Sequence, residues 1–256
     1  MAPFLLMLLG VALAINLVLF VVAYYQKTDK LTDVSYALTF VALVLVAGMT
    51  TSQITMPKLV LGALTVVWAE RLGTYLLVRV RTFGNDKRLD NIRHRFVAFG
   101  RFWLVRALVV WVVSLPTVLA LHSLRRPSTL WLTVGVAVWA VGFVVEGVAD
   151  VQKFRFMLDT KNKGAWVDRG LWHWARHPNY FGEIMVWLGV YVACVTALSL
   201  PYALMALASP LLVAGLLLFV SGVPPLEKAA NKRWGKNPGY KAYKARTRLL
   251  IPLPRR

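Results

Sequence analysis

Apolar residues in this chain fall into long unbroken blocks instead of alternating with polar ones. Seven blocks stand out, at 3–25, 34–51, 58–80, 103–121, 130–149, 180–199 and 201–221. Each is close to the roughly 20 residues a helix needs to cross the hydrocarbon core of a bilayer. Backbone amides in lipid must be satisfied within a helix or a closed barrel, and a barrel would show shorter, alternating segments. The pattern predicts an all-α integral membrane protein with seven transmembrane helices. Leu200-Pro201 reads as a tight turn between the last two. The first block has no basic leader and no small-residue cleavage site, so it reads as an uncleaved helix. Expected boundaries are a seven-helix domain over 1–223 and a short basic C-terminal segment over 224–256 belonging to the same functional unit. No internal repeat is visible.

Composition strengthens this reading. Hydrophobic residues make up 58% of the 256, and only 16% are charged, against about a quarter in an ordinary soluble domain. The 30 Lys and Arg are unevenly placed: 24 lie in the first, third and fifth loops and the tail, and three in the other loops. By the positive-inside rule the N-terminus is outside and the C-terminus cytoplasmic. The net charge of +19 therefore reads as an orientation signal facing anionic membrane lipid, not as a nucleic-acid surface. The single cysteine, Cys194, lies in an apolar block and excludes an internal disulfide.

Ionisable residues inside spans are costly and mark pairs, cavities or paths. The third block carries Glu70, Arg71, Tyr75 and Arg79. The last three recur every four residues and share one helix face. They read either as an ion pair joining helices or as the polar wall of a cofactor pocket, with Tyr75 as proton donor. Glu146 and Asp150 are one turn apart, a pairing suited to hydroxyl and amide recognition such as ribose and adenine. No histidine accompanies them at ligand spacing, so no metal site is expected. The densest signal runs from Asp168 through Arg176-His177-Pro178-Asn179-Tyr180-Phe181-Gly182-Glu183. Pro178 suits a first helical turn, Asn179, Glu183 and Trp187 then share a face, and Arg176 and His177 beside a helix N-terminus favour an anion. The tail, with Glu227, Tyr240 and Tyr243 among many cations, is too polar to span and is expected to fold back over the cytoplasmic mouth.

With these residues in view, the chain resembles the superfamily of the steroid 5α-reductase C-terminal domain, most closely its bacterial members, over roughly 30–252. The resemblance rests on the Glu146–Asp150 turn, on Gly170-Leu171-Trp172 through Glu183, and on Tyr240 through Pro252. It implies seven helices around an NADPH pocket open to the cytosol, in a multi-pass protein of the bacterial inner membrane. It places cofactor contacts on Glu146, Asp150, Asn179, Glu183 and Trp187, with Arg176, His177, Tyr240 and Tyr243 nearby and Arg81, Lys87, Arg88 and the C-terminal basic helix toward the phosphates. Mammalian steroid reductases carry a Gln-Glu pair near the end of the second span and a tyrosine on the next helix. Here Gln53 is followed by Ile54, and Tyr75 is the candidate tyrosine.

The function expected is NADPH-dependent reduction of the conjugated C=C bond of a lipophilic enone, a 3-oxo-Δ4-steroid or another isoprenoid lipid, with no obligate protein partner evident. The alternative is methyl transfer from S-adenosylmethionine to a lipid or prenylated acceptor, because membrane methyltransferases share the Arg-His-Pro element. A transporter or scaffold is the third class. It is disfavoured because the sequence lacks repeated halves and its polar residues crowd one side of the membrane.

Overall fold

A computed structural model describes residues 1–28, 30–84 and 89–253. Ten α-helices are found among them: α1 (Ala2–Tyr25), α2 (Lys30–Met49), α3 (Met56–Phe83), α4 (Phe96–His122), α5 (Thr129–Leu158), α6 (Leu171–Trp174), α7 (Pro178–Cys194), α8 (Leu200–Gly215), α9 (Val223–Trp234) and α10 (Pro238–Arg246). The described residues contain no β-strand, only one parallel bridge between Ala175 and Arg248. Seven helical stretches are long and apolar enough to cross a membrane, as the hydrophobic blocks predict.

Two helices outrun their apolar blocks. α4 begins at Phe96, and α5 continues to Leu158. Hydropathy stops at the first cluster of charges, but Val151-Gln-Lys-Phe-Arg-Phe-Met-Leu158 contains no breaker, so the helix carries on as an amphipathic extension. Lys58 sits in the first turn of α3. It is 4% exposed and donates to Thr51 Oγ1 at 2.8 Å.

The chain packs as two units, 1–135 with 190–209 and 136–189 with 210–256. The tail over 224–256 packs within the second of these units. In the first unit, buried polar contacts tie apolar helices together. Asn16 donates to Thr39, Thr65 and Thr117 hydroxyls meet at 2.7 Å, and Arg106 pairs with Asp33 while lying over the Tyr36 ring. Phe20, Phe99 and Trp103 form an aromatic core beside them.

In the second unit α5 and α7 cross almost backbone to backbone. A Cβ on Gly142 would lie 2.6 Å from both Gly182 O and Val186 N, and one on Gly182 would lie 2.5 Å from Glu146 N. Such contacts require glycine, and in lipid they are how helices gain van der Waals contact without a hydrophobic drive. Gly170, with φ of +59°, sets the turn into α6. The side chain of Gln152 covers that turn, and its Oε1 accepts from Leu171 N at 2.9 Å.

Candidate functional site

The segment after α6 is held in an extended form by the C-terminal strand-like stretch. Arg176 N donates to Arg248 O, His177 N to Leu249 O and Arg248 N to Trp174 O, all at 3.0–3.1 Å. Tyr243 Oη, on α10, donates to Trp172 O at 2.9 Å, and Trp172 Nε1 donates to Ala149 O on α5. The tail is thus fastened to the Arg176-His177-Pro178 element through main-chain bonds, whose pairing depends little on side-chain identity.

At the centre is Glu227 of α9. Arg176 Nε donates to its Oε1 at 3.0 Å, His177 Nε2 meets the same oxygen at 3.0 Å, and Lys244 Nζ donates to Oε2 at 3.0 Å. Arg176 Nη1 also reaches the carbonyls of Lys244 and Thr247 at 3.3 Å. A carboxylate only accepts, so Nε2 of His177 carries the hydrogen. Burial pushes the His177 pKa down from 6.5, outweighing Glu227, which pulls it up; Lys153 and Arg176 push it further down. Glu227 already faces Arg176 and Lys244, so a second proton on the imidazole gains little. The neutral ring stacks on Tyr180, with centroids 5.5 Å apart and planes at 8°.

The anion predicted beside Arg176 and His177 is therefore supplied by the chain itself. Sequence reasoning quoted Glu227 but gave it no role. It is 51 and 50 residues away from Arg176 and His177, and only the fold of α9 brings it to them.

Beside this clamp lies a cavity of about 360 Å³. Arg176, His177, Tyr240 and Tyr243 from the predicted set line it, together with Lys153, Trp166, Trp172, Glu227, Arg233 and Trp234. Trp166 lies 5.3–6.3 Å, centroid to centroid, from Tyr240, Trp234 and Tyr243. Burial raises the pKa of both tyrosines, so they are neutral phenols at physiological pH. Lys153, Trp166, Arg233 and Trp234 were missed; their spacing in the chain carries no periodic signal.

The other predicted residues lie outside that lining. Glu146 and Asp150 are 2% and 4% exposed on α5, next to the Gly182 crossing. Glu183, half-buried, and the fully buried Trp187 share a face of α7 with Asn179. Gln53, Tyr75 and Arg81 belong to the first unit. Gln53 is exposed just before α3, Tyr75 is half-buried deep in that helix, and exposed Arg81 is near its end. At 1.5 Å per residue, Gln53 and Tyr75 are separated by about 30 Å along α3, so they do not form one site. Lys87 and Arg88 lie outside the described residues. Among the described residues no cluster of His, Cys, Asp or Glu has metal-binding form.

These features define a multi-pass helical membrane protein with a polar, aromatic centre built on α5–α7 and the tail. The chain belongs to a family described as protein of unknown function (DUF1295), whose model matches residues 19–247. No curated protein and no solved structure matches it.

Proposed function

We propose that this protein is an NADPH-dependent reductase of the conjugated C=C bond of a lipophilic enone, steroid-like or isoprenoid. The observation that carries the reading is the burial of two acids, Glu146 and Asp150, one turn apart on α5, where Glu146 packs against Gly182 of α7. Both acids have partners within the chain, and a carboxylate has lone pairs enough to accept from more than one donor. Ribose hydroxyls and amides of a nucleotide cofactor are such donors, and the residue set lacks the nitrogen and sulfur ligands of a metal site.

NADPH when bound supplies a hydride, which goes to the β-carbon of the enone while a proton reaches the α-carbon. The residues of the chain bind and orient. Glu146, Asp150, Asn179 and Glu183 hold polar groups of the cofactor, and the apolar helices exclude water and admit substrate from lipid. A donor to the enone carbonyl would stabilise the developing enolate. The basic loops and tail would face the cytoplasm, and the cell membrane of a bacterium is the expected location.

The test is thermal unfolding of detergent-purified protein with NADPH, NADH and S-adenosylmethionine in parallel. A ligand at 100 times its Kd adds about 2.7 kcal/mol. Stabilisation by NADPH that is lost in Asp150→Asn supports the reading. Stabilisation by S-adenosylmethionine alone replaces it with methyl transfer.

A further inference from the structure

In the first unit, the end where α2 stops, α3 starts and α4 stops carries positive charge with no acid to meet it. Lys58 is 4% exposed. A lysine near a helix end ordinarily snorkels its ammonium out to water. Here the side chain turns back past the start of α3, and Nζ donates to Thr51 Oγ1 at 2.8 Å. Thr51 donates in turn to Leu121 O at 2.7 Å, which sets the ammonium beside the last turn of α4. His122 ends that helix; Phe4 stacks on its ring at 4.1 Å, and its Nδ1 is buried with no hydrogen-bond partner. Arg125 and Arg126, both exposed, follow. Thr55, the N-cap of α3, makes no capping bond, so its side chain does nothing to offset the positive end of the helix dipole. The connections at this end, 50–55 and 123–128, contain no Asp or Glu. The nearest acid along α3 is Glu70, 12 residues from Lys58, or about 18 Å at the helical rise. Asp33 stands in the first turn of α2, at the far end of that helix. Among the described residues no carboxylate pairs with Lys58.

We infer that this end of the helices holds the phosphate of an anionic phospholipid, with Lys58 and the Nδ1 side of His122 against its oxygens and Arg125 and Arg126 closing over it. A desolvated ammonium is costly unless an anion meets it. The chain supplies none, and a phosphate diester has the charge and the acceptor oxygens. Thr51 takes one of the three ammonium hydrogens, which leaves two for the ligand. A lipid fits better than a free anion because apolar side chains flank the cations along the chain: Ile54, Met56, Leu59 and Leu124 are 53–83% exposed. Acyl chains can follow that surface, and inorganic phosphate has no use for it. Trp131, 46% exposed in the first turn of α5, is the kind of side chain that sits at headgroup depth. The site stands whether or not the reductase reading does.

The experiment uses the full-length protein in dodecyl maltoside and phosphatidylglycerol with a diazirine on the acyl carbons nearest the headgroup. Cross-linked peptides are mapped by mass spectrometry, and thermal unfolding is followed with and without the unlabelled lipid. The expected result is saturable cross-linking to residues 49–60 and 122–131, competed by unlabelled phosphatidylglycerol and not by inorganic phosphate at the same concentration. Arg125→Gln and Arg126→Gln, changes at exposed residues that leave the fold intact, should each weaken it about fivefold, the attraction of one surface cation for anionic lipid. Lys58→Met keeps the side-chain length and removes the charge. It should abolish these cross-links and the stabilisation by phosphatidylglycerol, while the lipid-free midpoint stays level or rises, because a buried charge without a counter-ion is gone. Lys241→Gln, exposed on α10, should leave these cross-links unchanged. A lysine that serves only its bond to Thr51 would lower the midpoint equally with and without lipid, and that outcome would overturn the assignment. Cross-links spread evenly along the spans, or indifferent to both Lys58 and the arginines, would reduce the site to general lipid contact. Equal competition by inorganic phosphate would replace the lipid with a free anion.

Discussion

Glu227 brings together three groups that would otherwise repel or stay unpaired. Arg176 and Lys244 are 16% and 29% exposed at the side chain, so water screens them only in part. Removing one partner of such a cluster leaves uncompensated charge, which is far costlier than the pair is stabilising. Glu227→Gln keeps the shape and loses the charge. It should lower stability by about 2–4 kcal/mol, read as a fall in the thermal midpoint in detergent. His177 adds a pH dependence. Its pKa lies near 6.5 in the unfolded chain and lower in the folded one. As pH falls through 6.5 the unfolded state takes up a proton that the folded state does not, so stability is lost from there downward until the folded imidazole protonates too. A melting series from pH 7.5 to 5 should show this decline, and His177→Gln should flatten it. A stability that rises on acidification would show the imidazole charged against Glu227 instead.

At the scale of elements, the crossing of α5 and α7 is fixed by Gly142 and Gly182. The neighbours a Cβ would meet are mainly backbone atoms, which cannot rotate away. Gly142→Ala should therefore cost about 3 kcal/mol, at the upper end of overpacking penalties, and should also displace Glu146 and Asp150. Gly10→Ala, in open space on α1, should be neutral or stabilising by about 0.5–1 kcal/mol from helix propensity. Equal losses in both variants would mean that the close crossing is not what places the acids. The helices themselves were legible because lipid imposes length and apolarity on every span. The crossing was not: glycine spacing does not identify the partner helix. The run of α5 to Leu158 was also hidden, because burial pattern and not hydropathy defines an amphipathic extension.

At the scale of the whole molecule, the apolar blocks made the number of crossings readable, whereas the site was readable only where its residues are local. Arg176, His177, Asn179 and Glu183 lie in one contiguous string. Glu227, Arg233 and Trp234 reach the cavity only through the fold of the tail. Charge asymmetry adds a claim about topology that geometry within the chain does not. Ser52 precedes α3, Ala242 is on α10, and both are exposed. Five of the seven crossings separate them, so they must lie on opposite sides. Cys194 is buried, so the parent chain offers little background for a thiol probe. In spheroplasts, a membrane-impermeant maleimide should label Ser52→Cys at once and Ala242→Cys only after permeabilisation. The reverse pattern would place the tail and its cavity outside, away from cytoplasmic nucleotides, and would remove the ground for a nucleotide cofactor there. Labelling of both from one side would mean an even number of crossings between them, which seven spans cannot give.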